Sequence, residues 1–162
     1  MTTDRSIVDA LRSSQLATEL TDEQTRTLAD NLAFRDLEPG EMLVKEGASD
    51  NHLYVVVSGA LGVVKNTGTA DEVTFFALTP GDLVGELSFI DGTQHYASLV
   101  AIGRTRVFGL EREKLESLLP AHSEIVYRVM RAIIRTVHRI QRRLSMQSVE
   151  LTNYIYKQHG RY

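Results

Sequence analysis

Ten of the eleven glycines in this 162-residue chain fall between positions 40 and 109, and no other feature limits the possible fold as much. They divide the middle of the chain into short β-type runs such as Leu53-Tyr-Val-Val-Val57, Val73-Thr-Phe-Phe76 and Arg106-Val-Phe108. Runs this short, separated by glycine turns, predict an antiparallel sandwich, barrel or roll. Pro39-Gly40 and Pro80-Gly81 fit type II turns, in which Pro fixes the first φ and Gly takes the positive one. Ser58-Gly59 and Thr67-Gly68 read as hairpin tips.

Both flanks change period. The first 33 residues read as helical: Ile7, Val8 and Leu11 share a face, Thr21-Asp-Glu-Gln24 has the form of a capping box, and Leu28 and Leu32 follow at helical spacing. Glu111–Leu119 reads as a short helix stopped by Pro120. Ser123 then caps a long helix that runs to about residue 157, before Gly160. Along it Met130, Ile133, Val137, Ile140, Leu144, Leu151 and Tyr154 recur in steps of three and four, with Gln147 in the one gap, which is a heptad seam. A stripe of that length needs a partner surface, and the expectation is a parallel homodimer whose first turns also touch the β-domain. The expected organisation is therefore a β-domain with N-terminal helices over 1–122 and a dimerisation helix over 123–158.

The net charge of −3 hides a division. Residues 125–162 hold eight Lys/Arg and a single acid, Glu150, whereas residues 1–124 hold ten Lys/Arg and twenty Asp/Glu. The stripe Arg128, Arg131, Arg135, Arg139 and Arg142, with His138 and Arg143 nearby, faces either the acidic body and water or an anionic partner: nucleic acid, an acidic protein face or a membrane surface. Zero cysteines exclude disulfides, thiolate zinc sites and iron–sulfur clusters, and fit a cytoplasmic location. The five histidines lack metal-ligand spacing, and no nucleophile elbow, Walker A or paired-acid motif occurs, so neither an enzyme nor a cofactor is expected.

The chemistry concentrates in residues 80–101. Gly85-Glu86 follows a short apolar run and opens one turn of helix, where free backbone N–H groups attract an anion and a carboxylate can accept from sugar hydroxyls. Together they suit a small phosphorylated sugar.

Three segments in this order, Leu37-Glu-Pro-Gly-Glu-Met-Leu-Val-Lys-Glu-Gly47, Leu53-Tyr-Val-Val-Val-Ser-Gly59 and Pro80-Gly-Asp-Leu-Val-Gly-Glu-Leu87, resemble the cyclic nucleotide-binding domain family over residues 15–145. That family includes the catabolite activator protein and the regulatory subunits of cyclic-AMP-dependent kinase. The resemblance implies an α+β fold: an antiparallel β-roll (a double-stranded β-helix, jelly-roll-like) flanked by N-terminal helices and a long C-terminal helix. It also implies a phosphate cassette in the 85–98 loop, with backbone of Gly85, Glu86, Leu87 and Ser88 donating to a cyclic phosphate and Glu86 accepting from the ribose 2′-hydroxyl. In the family an Arg-Ser or Arg-Thr closes the cassette, and an ungapped alignment puts Tyr96-Ala97 there. Losing such a charge-assisted contact weakens binding by roughly 10- to 150-fold. His95 as imidazolium could replace the arginine, the Tyr96 and Ser98 hydroxyls could donate instead, or the pocket no longer takes cyclic nucleotides. Family members close the long helix over the base, which places Ile140 and Gln141 near the ligand.

The expected function is a non-enzymatic, dimeric sensor of cAMP or cGMP that signals to an unknown effector protein through the long helix. Two alternatives stand beside it: a degenerate roll serving as an interaction scaffold, and the sensor part of a transcription regulator without its helix-turn-helix domain. The chain end at Gly-Arg-Tyr162 favours a stand-alone module, and DNA binding by this chain alone is not expected.

Overall fold

The computed structural model describes residues 5–159; for Leu144, Gln158 and His159 only the backbone is described. The elements run α1 (Arg5–Arg12), a 3-10 turn (Gln15–Ala17), α2 (Asp22–Ala29), β1 (Leu32–Leu37), β2 (Met42–Val44), β3 (His52–Lys65), β4 (Val73–Leu78), β5 (Leu83–Val84), α3 (Glu86–Asp91), β6 (Ser98–Glu111), α4 (Arg112–Glu116) and α5 (Leu119–His159). All pairings are antiparallel. The expected α+β roll is what forms, and two 14-residue strands, β3 and β6, are its spine. β1 pairs the C-terminal half of β6 and β5 the N-terminal half of β3, while β2 and β4 pair the opposite halves. The spine bends where its register shifts, between Val56 and Ala60.

That bend corrects one expectation. Ser58-Gly59 is not a hairpin tip but a kink inside β3, with Gly59 at φ +79°. A Cβ on Gly59 would lie 2.3 Å from the Arg104 carbonyl oxygen, so only glycine lets the two spine strands cross so closely. Thr67-Gly68 does lie in the β3–β4 turn, with Gly68 at φ +77°.

The continuous apolar run Leu53–Val56 is buried on both faces. Leu53 and Val55 join the helices in one cluster, with Ile7, Leu11, Leu28, Phe89, Phe108 and Ile133. Tyr54 and Val56 point the other way, into the roll, against Leu37, Leu61, Leu99 and Val107. A strand walled on both sides does not alternate in hydrophobicity, which explains why it reads as an unbroken run.

The Thr21–Gln24 capping box forms with both reciprocal bonds. The N-terminal helical region ends earlier than the spacing predicted, because Leu32 already pairs Leu110 in the sheet. Pro120 does not stop a helix; it lies in the first turn of α5, where its missing N–H has no partner to lose. The break falls at His122 instead, at φ −136° and ψ 45°.

The heptad seam is corrected as well. Ile133 is fully buried in the chain's own core beside Ile125 and Val129, and Met130 packs half-buried against the same cluster. Ile133 therefore cannot face a second copy. Leu151 and Tyr154 stay exposed, and the Leu144 side chain lies outside the described residues. Much of the basic stripe is tied to the N-terminal segment. Arg131 and Arg135 pair with Glu19 at 3.1 and 2.8 Å, Arg128 donates to the Glu19 carbonyl at 2.7 Å, and Arg139 donates to Gln15 Oε1 at 2.8 Å. Among the described residues no helix is long and apolar enough to cross a membrane.

Candidate functional site

β5 delivers the chain to Gly85, which takes φ +85° as the N-cap of α3. A Cβ there would meet the His52 carbonyl at 3.1 Å, so glycine serves both the left-handed turn and the close approach to β3. Gly92, at φ +76°, ends the single helical turn, and residues 93–97 return the chain to β6.

Two anchors hold this loop. The buried Ser88 hydroxyl donates to the Asp50 carbonyl at 2.7 Å and accepts from the Asp50 N–H at 2.8 Å. His95 bonds through its backbone, its N–H donating to Ala48 at 2.7 Å and its carbonyl accepting from Gly47 at 2.8 Å. The imidazole thereby lies inside, its side chain 9% exposed, with Nε2 3.5 Å from Asp50 Oδ1. That separation is too long for a hydrogen bond, and Nε2 is buried without a partner.

Glu86 faces the same interior. Burial pushes its carboxyl above the usual carboxylate range, opposed by its own backbone N–H and the nearby His95. A carboxylate kept from water with few donors is primed to accept hydrogen bonds from a ligand. The Tyr96 phenol is likewise raised, by burial first and by the Glu86 charge second, although its residue remains 59% exposed overall. Tyr96 is one of the residues that wall the hollow.

The hollow these residues enclose is small, about 60 Å³. Gly85, Glu86, Leu87, Ser88, His95, Tyr96 and Ala97 line it, together with Phe76 and Leu78 from β4 and Ile140 from α5. Of the residues the sequence nominated, two lie elsewhere. Ser98 is fully buried, accepting from the Glu46 N–H at 2.9 Å and the Thr67 hydroxyl at 2.7 Å, and does not line the hollow. Gln141 is exposed on the outer side of α5, while its neighbour Ile140 reaches the hollow. Among the described residues no Lys or Arg lines it, and His95 is the one basic side chain at the place where the family arginine is expected.

Sequence reasoning missed Asp50, Phe76 and Leu78. Asp50 lies far from the cassette along the chain and carries no spacing signal. Phe75-Phe76 are consecutive, so alternation could not say which one faces inward.

Beyond Phe76, Leu78, Leu83, Tyr96 and Ile140, which border both spaces, the hollow opens into a groove of about 770 Å³ between β4 and α5. The cassette and the long helix thus wall one continuous cleft.

Comparison with known proteins places this architecture. The model of the cyclic nucleotide-binding domain matches residues 34–122. The CRP-like cAMP-activated global transcriptional regulator of Mycobacterium tuberculosis is 26% identical over 110 residues, covering 68% of this chain and 49% of that protein. The chain thus spans about half the length of that relative. A cyclic nucleotide-binding domain from Methylobacillus flagellatus superposes with a TM-score of 0.74 at 23% identity, over 85% of this chain and 77% of that one. The regulatory subunit of a cAMP-independent protein kinase A from Trypanosoma brucei gives 0.69 at 25% identity, over 82% and 45%. Because the matched region exceeds half of its length, and the roll and cassette lie where that match requires, this chain belongs to the cyclic nucleotide-binding domain family.

Proposed function

We propose that this protein is a non-enzymatic ligand sensor whose cassette and long helix respond together to a small molecule of the cyclic-nucleotide class. One observation carries the reading: Gly85 and Glu86 on one side and Ile140 of α5 on the other wall the same hollow. At about 60 Å³ the hollow holds a few waters, far below the roughly 300–1,000 Å³ of sites that enclose a ligand. A nucleotide with its phosphate in the hollow therefore extends into the adjoining groove beneath α5 and presses on α5, α3 or the Tyr96 loop as it enters. A ligand that binds the opened pose more tightly than the closed one shifts the equilibrium between them, and α5 carries the change outward.

The family arginine is absent, and Glu86 and Asp50 add negative charge close to where a phosphate would rest. Binding of cAMP or cGMP is accordingly weaker than with a full cassette. A relative described as the regulatory subunit of a cAMP-independent kinase shares the fold, so the fold alone does not fix the ligand. Isothermal titration with cAMP and cGMP tests the reading. Binding in the micromolar to sub-millimolar range is expected, abolished by Glu86→Ala and strengthened at least about tenfold by Tyr96→Arg. No heat from either nucleotide at millimolar concentration rejects it and favours the scaffold alternative.

The sensor pairs through α5. Its outward stripe is Ile134, Val137, Gln141 and Leu151: Val137 and Leu151 belong to the seam the sequence suggested, and Ile134 and Gln141 take the places of Ile133 and Ile140. Ile134 and Leu151 are 61% and 62% exposed. Ile134, Val137 and Gln141 follow in steps of three and four, Leu151 lies ten residues further on in the same register, and a polar residue such as Gln141 within the stripe favours one alignment of two parallel helices.

A further inference from the structure

We propose that the cassette takes up its anion together with a proton, which His95 holds between the ligand phosphate and Asp50, so that the protein reads ligand and pH jointly. This rests on the cassette reading above and adds the regulation of that site.

Charge balance comes first. Among the described residues, the ionisable side chains lining the hollow are Glu86, His95 and Tyr96. Asp50 stands beside His95, its Oδ1 3.5 Å from Nε2. A phosphate in the hollow therefore joins two carboxylates with no permanent cation on the wall. Like charges shielded from water repel strongly, and such a site lowers its energy by binding a proton.

The permanent cations nearby are engaged elsewhere. Lys65 Nζ donates to the Tyr96 carbonyl at 2.6 Å and pairs with Glu46 at 2.6 Å. Arg35 lies 3.7 Å from Glu41, and Arg112 lies 3.7 and 3.8 Å from Glu113 and Glu116. Arg139 and Arg143 line the groove on α5 but not the hollow.

His95 is the group fitted to hold the proton. Its side chain is 9% exposed, and its Nε2 is buried without a hydrogen-bond partner. A neutral imidazole leaves that nitrogen unsatisfied in either tautomer, whereas an imidazolium turns it into a donor for a phosphate oxygen, with Asp50 balancing its charge. The backbone of residue 95 is held at Ala48 and Gly47 by bonds of 2.7 and 2.8 Å, whatever its side chain. Asp50 is fixed in turn by the Ser88 hydroxyl, and its Oδ1 accepts from the His52 N–H at 3.2 Å.

The other titratable neighbours are less suited. Glu86, raised by burial, competes for the proton, but the cassette needs it as a carboxylate to accept from the ribose. The Tyr54 and Tyr96 phenols are both raised from 10.0, chiefly by burial, and stay neutral near pH 7. The His52 ring stacks on Tyr54 at 5.7 Å and does not line the hollow. Because the proton is held in the complex, affinity is highest at low pH and falls as pH rises through the imidazole range. One proton sets a limit of about tenfold per pH unit.

The test is isothermal titration of the full chain with cAMP at about pH 5.5 and about pH 8, where the cyclic phosphate keeps one negative charge throughout, so any pH dependence belongs to the protein. Binding at least about tenfold tighter at the lower pH is expected, with net uptake of up to about one proton per ligand near pH 7, read from the heats in two buffers of different ionisation enthalpy. His95→Gln should bind weakly and equally at both pH values. Asp50→Asn should move the fall in affinity to lower pH by about one unit, and His52→Gln should leave it in place. Thermal melts at both pH values confirm that each variant is folded. Equal affinity at the two pH values, or a pH dependence that survives His95→Gln, overturns the inference and leaves the cassette reading standing. Absence of cAMP binding at both pH values overturns the two together.

Discussion

Two glycines and one glutamate show how much a single position can carry in this molecule. Gly59 combines φ +79° with a virtual Cβ only 2.3 Å from backbone, whereas Gly40 shares the positive φ, at +81°, but faces open space. Gly59→Ala is therefore expected to destabilise by more than about 3 kcal/mol, and Gly40→Ala by about 1 kcal/mol. Paired urea unfolding curves measure both, and equal losses would show that the spine crossing tolerates a methyl group. Glu86 gives a pH test. Its carboxyl is raised by burial, so the folded state holds the proton more tightly than the unfolded chain. As pH rises from the ordinary value of 4.5 through the raised one, the buried charge costs stability, and below that window the cost disappears. Glu86→Gln should thus be more stable than wild type at neutral pH, with the difference vanishing toward pH 4. Thermal melts across that range check the sign. The Gly85-Glu86 pair was legible as a site because its local turn chemistry is written in adjacent residues. His95 was nominated from the same segment, but the burial of its Nε2 without a partner was not legible, since its environment is assembled from Asp50, Gly85 and Glu86.

At the scale of elements, α5 separates two roles that share one periodic pattern. Ile133 is fully buried in the chain's own core and Ile134 is 61% exposed. Ile133→Asp should unfold the protein, at a cost of about 4 kcal/mol or more, because it places a charge in the interior. Ile134→Asp should leave the melting temperature of the protomer within about 0.5 kcal/mol of wild type and split the dimer in sedimentation velocity. A wild type that sediments as a monomer removes the self-pairing reading. The second device is the clasp on Glu19, which holds Arg131 and Arg135 side by side. Both arginines are about half exposed, so the pairs are salt-sensitive and each contributes less than about 1 kcal/mol. Glu19→Gln should speed amide exchange in α5 over residues 128–140 and leave exchange in β3 and β6 unaltered. The basic stripe had two open readings in the sequence. For Arg128, Arg131 and Arg135 the structure selects the acidic body, and among the described residues Arg143 is left without an ion pair.

For the whole molecule, the roll holds the core and, on the proposed reading, the cleft between cassette and α5 is the part that responds. The roll's two layers share β3 and β6, each buried on both faces, so they unfold together. α5 is fixed at its start by Ile125, Val129 and Ile133, while residues 141–143 and 145–157 are exposed throughout. On the proposed reading, a ligand in the cleft acts where the helix leaves the body, at Ile140, and small rotations there become large displacements further along. What the sequence determined by itself is what local chemistry encodes: the glycine-jointed strands, the capping box, the Gly85 turn and the helical period of the C-terminal third. Tertiary structure decided the rest. Only packing could show that Gly59 is a crossing rather than a tip, and that Ile133 faces inward with Ile134 outward. It also showed that a 60 Å³ hollow adjoins a groove of about 770 Å³. The reason is physical: a period names a stripe, but which side of it meets the body depends on surfaces distant in sequence, and a cavity is formed by all of them at once.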